Sequence, residues 1–206
     1  MVAVVTAGIV FGLSAGMAPG PLLVLVISQT LRHGFAEGVK TSLAPLITDV
    51  PIVAAAVLAV FTMRDVDLVL ALLSLSGGLY LFYIAYETFT VTPPSTEDAQ
   101  DVPHSIRKGA ITNALNPHPY LFWMTVGAPT MVMASERGTM GPVLFVFFFY
   151  CFLVGSKVAV AAVVERSRHI LAGRAYTIIM KIAACLLMIF GAILVKEAAI
   201  LSGIVS

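Results

Sequence analysis

Two charged side chains stand alone inside long apolar runs, where they could do chemistry. Asp49 is the one Asp, Glu, Lys or Arg between Thr41 and Met63, and Lys157 is the one between Gly138 and Val164. Asp49 lies nine residues after Lys40 and Lys157 eight before Glu165, so on helices both sit about 12–14 Å in from the same end. An isolated charge at that depth in a bilayer costs at least about 2.5–3.5 kcal/mol. The two are therefore expected to face inward and to pair, directly or through substrate and water. Two chemistries fit. One is a permanent ion pair clamping two halves of the chain together. The other is recognition of a zwitterion, whose ammonium replaces Lys157 at Asp49 while its carboxylate meets Lys157 or a helix N-terminus.

The two charges occupy matched places in an internal repeat. Thr48-Asp49-Val50-Pro51-Ile52-Val53-Ala54-Ala55-Ala56-Val57 lines up with Ser156-Lys157-Val158-Ala159-Val160-Ala161-Ala162-Val163, so Asp49 falls on Lys157. Each half also opens with an apolar run interrupted by two prolines, Ala18-Pro19-Gly20-Pro21 and Asn116-Pro117-His118-Pro119. Proline lacks an N–H and clashes with the carbonyl four residues back, so Pro19 and Pro21 are expected to free the carbonyls of Ala15 and Met17, and Pro117 and Pro119 those of Asn113 and Leu115. Freed backbone in lipid costs several kcal/mol per group and is tolerated where protein, water or ligand fills the gap. Pro21 suits the first turn of a new half-helix, whose N-terminus attracts a carboxylate. His118, between two prolines, reads either as a proton carrier or as a packing histidine.

The elements that must hold these residues follow from composition. Of 206 residues, 59% are hydrophobic and 11% charged, half the charge of a soluble domain. Uncharged or singly charged runs cover Met1–Leu31, Thr41–Met63, Leu68–Tyr86, Gly109–Ser135, Gly138–Val164 and Ala175–Val195, each long enough to cross a hydrocarbon core of about 30 Å. The expected fold is an all-α integral membrane protein of six transmembrane helices. A first three-helix repeat (1–91) and a second (107–206) flank a polar linker at 92–106. Three spans per half make the second repeat inverted, and inverted repeats with broken helices point to a transporter site near the midplane. Arg32, Lys40, Arg107, Lys108, Arg166, Arg168 and Arg174 in the odd-numbered loops, against Arg64, Arg137 and Lys196, place those loops in the cytoplasm and both termini outside. The first apolar stretch has no basic leader and is expected to remain in the mature chain.

Other features carry less. A net charge of +1 offers no field for nucleic acid. Cys151 and Cys185 lack metal or redox spacing and read as small buried hydrophobes. Lys181 is expected to snorkel outward, Gly77-Gly78 to mark close helix packing, and the Phe145 to Phe149 run to be core or lipid-facing bulk. A membrane aspartyl hydrolase needs two carboxylates, and Asp49 has no second one at its depth. A divalent metal exporter wants several hard or soft ligands, and a transmembrane thiol carrier wants paired cysteines. Both stay as weaker alternatives.

Gly12-Leu13-Ser14-Ala15-Gly16-Met17-Ala18-Pro19-Gly20-Pro21, Ser28-Gln29-Thr30-Leu31-Arg32-His33-Gly34, Asp49, Gly77-Gly78-Leu79-Tyr80-Leu81 and Asn113-Ala114-Leu115-Asn116-Pro117 together resemble the amino-acid exporter family typified by the bacterial lysine exporter and homoserine/threonine efflux proteins. The resemblance spans essentially the whole chain, and departs from the family at Thr48, where the family has glycine. It implies a six-helix permease of the cytoplasmic membrane. Such a permease is no enzyme and needs no cofactor; it expels amino acids or related metabolites against proton influx. The candidate substrate site is Pro19, Gly20, Pro21, Asp49, Asn113, Asn116, Pro117 and Lys157, the last on the repeat argument alone. Asp49 and His118 are the candidates for proton coupling. The expected partners are an amino acid and the bilayer, and small residues leave a homodimer open.

Overall fold

The computed structural model describes residues 1–18, 20–62, 67–90, 103–136, 138–167 and 174–202. Pro19, residues 92–102 of the linker, Arg64, Arg137 and Arg168 lie outside them. The described residues are helical, with no strand among them. In chain order the helices are α1 (Val2–Met17), α2 (Pro21–His33), α3 (Phe35–Ser42), α4 (Ala44–Thr62), α5 (Asp67–Phe89), α6 (Ser105–Ala114), α7 (Pro117–Phe122), a π-helical turn (Trp123–Gly127), α8 (Ala128–Ser135), α9 (Met140–Arg166) and α10 (Arg174–Leu201). Among the described residues two are long and apolar enough to cross a membrane, Met140–Arg166 and Thr177–Leu201, and the α1–α2 pair, bent by 64° at its break, is a third when it is taken as one broken span. The outside of α10 suits lipid: Ile178, Ile182, Ile189 and Ile193 are all exposed along it.

Glycine decides how the longest helices meet. Gly8, Gly12 and Gly16, one turn apart on the buried face of α1, lie against the backbone of Phe145, Phe149 and Leu153 of α9, so α1 and α9 run parallel at close range. The close approach gains dispersion and loses no side-chain entropy, the usual basis of helix association in lipid. Gly78 and Gly191 face each other across α5 and α10, which run antiparallel. Close packing at Gly77-Gly78 is therefore observed, whereas the Gly8-Gly12-Gly16 stripe is the stronger case and was not singled out from sequence. Gly109 of α6 lies against Thr41 and Ala44, setting α6 parallel to the start of α4.

Both helix breaks form, but the second is simpler than expected. α6 ends at Ala114 and α7 starts with Pro117 as its first residue, its backbone fixed for helix and its missing N–H unneeded. Pro119 then falls inside the first turn of α7, where no carbonyl four residues back is required, and makes no break of its own. The Asn113 carbonyl is not left free either, since the Asn116 N–H donates to it at 3.2 Å. The irregularity continues at Trp123–Gly127, where a wide π-turn seats Gly127 beneath the Trp123 ring. One further expectation is corrected. Cys151 and Cys185 are exposed, because on α9 and α10 an apolar thiol can face lipid as readily as core.

The main core cluster joins Val4, Ile52, Trp123, Phe145, Phe149 and Leu153, drawing on α1, α4, the π-turn and α9. It uses the Phe run as core at Phe145 and Phe149, while Phe147 is exposed. A second cluster ties α2 to α5 and α10 through Leu25, Leu81, Ile84 and Leu187.

Candidate functional site

Asp49 and Lys157 are almost fully buried, 3% and 4% exposed, yet they form no ion pair with each other. The permanent clamp, one of the two chemistries open from sequence, is absent because each has another partner. The Lys157 ammonium donates to the Gly16 carbonyl at 2.8 Å. Gly16 lies in the last turn of α1, whose final carbonyls have no partner within the helix and carry its negative dipole end. The carbonyls expected to be freed were those of Ala15 and Met17. The one that Lys157 takes lies between them, because α1 continues to Met17 and then stops.

Asp49 is held by neutral donors. The Asn113 Nδ2 donates to Oδ1 at 2.7 Å and the Tyr150 hydroxyl to Oδ2 at 3.0 Å. Asn113 also donates to Thr48 Oγ1 at 2.7 Å, and that hydroxyl donates to the Ala44 carbonyl at 3.0 Å. The Trp123 indole stands beside the same carboxylate. Asn113 sits at the end of α6, just before the second break. Each half thus sends its buried charge to the broken helix of the other half: Lys157 to Gly16, Asp49 to Asn113.

A cavity of about 490 Å³ opens between these groups, within the range of small-molecule sites. Gly20, Pro21, Asp49, Asn113, Asn116 and Lys157 all line it, and so does His118. His118 is exposed and its backbone N–H donates to Asn116 Oδ1 at 3.1 Å, capping α7. Pro117 is buried behind the lining, and Pro19 lies outside the described residues. The N-terminus of α2, which begins at Pro21, has no side-chain cap, so its first N–H groups remain for a ligand or water. Sequence reasoning missed Tyr150 and Trp123. A signal for Tyr150 existed, since it is two helical turns from Lys157 and so on the same face of α9.

A second polar cluster closes one end of the bundle. Glu87, just past the apolar run of α5, pairs with Arg32 of α2 at 3.1 Å and with Lys108 of α6. Ser105 donates to Gln29 at 3.0 Å beside it. Burial pushes the Glu87 carboxyl up, but Lys108 and Arg32 outweigh it and hold the group below its usual value. Lys181 is exposed, as expected, with its ammonium 5.7 Å from the Phe89 ring.

A family model for LysE type translocators matches residues 13–198. The chain belongs to that family. This LysE type translocator is accordingly a membrane transporter and not an enzyme, and its family points to export of amino acids or related compounds. No curated protein and no solved structure gives a significant match. Among the described residues no three His, Cys, Asp or Glu side chains gather as a metal site would require.

Proposed function

We propose that this translocator is a secondary active exporter of amino acids or related small zwitterions, working as a proton antiporter in the cytoplasmic membrane. The observation that carries the reading is the unpaired arrangement of Asp49 and Lys157 across one cavity at two helix breaks. A substrate ammonium meets Asp49, and its carboxylate meets the uncapped start of α2 or the two Lys157 protons not used by Gly16. When substrate leaves, a proton can take its place on Asp49, which gives the exchange. A proton gradient of about 150 mV supplies roughly 3.5 kcal/mol per charge, enough for a several-hundred-fold substrate gradient.

The six-span inverted repeat, with both termini outside, is part of the same reading. Its support is the contact pattern: the first span of one half packs on the second span of the other, α1 on α9 and α6 on α4, while α5 packs on α10. A two-fold axis in the membrane plane exchanges the first two pairs and maps the third onto itself, which requires α5 and α10 to be antiparallel, as they are. The test is counterflow in proteoliposomes loaded in turn with basic, neutral and hydroxylated amino acids. Exchange driven by a trapped amino acid and lost in Asp49→Asn is expected. Folded protein that exchanges none of them, or an Asp49→Asn variant with unchanged rate and pH dependence, overturns the reading.

A further inference from the structure

On α9 the cavity-lining residues Phe149, Leu153 and Lys157 follow one another at four-residue spacing, so they form one column, with the Lys157 backbone about 12 Å along the helix from that of Phe149. On the facing segment the polar Asn116 and His118 give way to Leu121, Phe122 and Val126. Phe122, half-buried, stacks on Phe149 with ring centroids 5.0 Å apart. The Asp49 carboxylate sits beside these rings, on the hydroxyl of Tyr150, the neighbour of Phe149 on α9, and apart from it, the Lys157 ammonium and a few neutral polar groups the lining is apolar and aromatic.

Among the described residues lining the cavity there is one carboxylate, Asp49, and one ammonium, Lys157. A zwitterion with a neutral side chain leaves both matched. A lysine or arginine side chain would add a cation among apolar side chains with the one lining carboxylate already taken by the substrate ammonium, and an unpaired charge there is strongly disfavoured. A serine or threonine hydroxyl finds one hydroxyl in the lining, Thr125, whose proton already goes to the Leu121 carbonyl at 2.7 Å and which is left as an acceptor only. It would also leave the apolar lining unfilled. We infer that the cavity selects neutral amino acids with bulky apolar side chains, of the leucine, methionine and phenylalanine type, with Phe122 in the wall that reads the side chain. This rests on the assignment of Asp49 and Lys157 to the substrate's charged ends.

The test is competition in counterflow. Proteoliposomes holding leucine are challenged outside with leucine, methionine, phenylalanine, lysine, arginine, serine or threonine at equal concentration. Discrimination of about tenfold or more in favour of the first three is expected, the scale set by one or two methylenes in an apolar pocket. Phe122→Ala should narrow the ratio of phenylalanine to serine several-fold. Ligand-induced thermal shift of the unaltered protein gives the same ranking without any variant, since a ligand that binds the folded state raises its apparent stability. Lysine, arginine or serine exchanging as fast as leucine overturns the selectivity and leaves the exporter standing. Folded protein that exchanges and binds no amino acid overturns both.

Discussion

Lys157 satisfies a helix end, so its substitution tests structure and transport separately. Lys157→Met leaves the Gly16 carbonyl buried without its donor, at a cost of about 1–3 kcal/mol, and should lower the melting temperature in detergent; Lys157→Arg, which can still donate, should lower it less. Tyr150→Phe deletes one of the donors on Asp49 without opening a cavity. It should leave the melting temperature nearly unchanged while raising KM for exchange and shifting its pH profile; identical kinetics would remove Tyr150 from the site. Glu87 gives the pH dependence of stability. Its carboxyl is lowered by Lys108 and Arg32 against an opposing effect of burial. Its contribution is thus complete above the ordinary carboxylate value and lost as pH falls through the lowered one. Glu87→Gln should melt below the parent at pH 7, and the gap should close as the pH falls through and below the ordinary carboxylate range, as thermal melts across that range would record.

At the scale of helices, the α1–α9 contact is the most exacting. A side chain at Gly12 would fall on the Phe149 carbonyl, and backbone cannot rotate aside as a flexible side chain can. Gly12→Leu is expected to destabilise by about 1–3 kcal/mol or more and to abolish transport, because the same helix carries the Gly16 carbonyl to Lys157. Gly155→Ala is the control on α9. A Cβ there meets nothing within 4 Å, and the change should stabilise by up to about 1 kcal/mol through helix propensity. Parallel melts of the two variants decide. The apolar runs that became α9 and α10 were plain in the sequence, because a helix must satisfy its own backbone in lipid and length alone marks it. The π-turn at Trp123–Gly127 was not legible: its wide turn depends on Trp123 finding room over Gly127, which neither residue announces.

For the whole molecule, sidedness is the measurable consequence. In a background with Cys151→Ser and Cys185→Ser, an impermeant thiol reagent added to intact cells should label Thr139→Cys, between α8 and α9, and should spare His104→Cys at the start of α6 until the membrane is opened. The reverse pattern would invert the topology. Charge-poor runs, double prolines and the matched positions of Asp49 and Lys157 were all readable, since the cost of charge and of broken backbone in a membrane leaves few places for either. That seven of the nine candidate residues line one cavity follows from that constraint. The sequence by itself determined the membrane class, the helix breaks and the burial of the two charges. Tertiary structure alone decided that they do not pair, because their partners, a carbonyl at a helix end and the side chains of Asn113 and Tyr150, are brought in by other helices. A hydrogen bond between residues 141 positions apart, such as Lys157 to Gly16, leaves no local pattern to read.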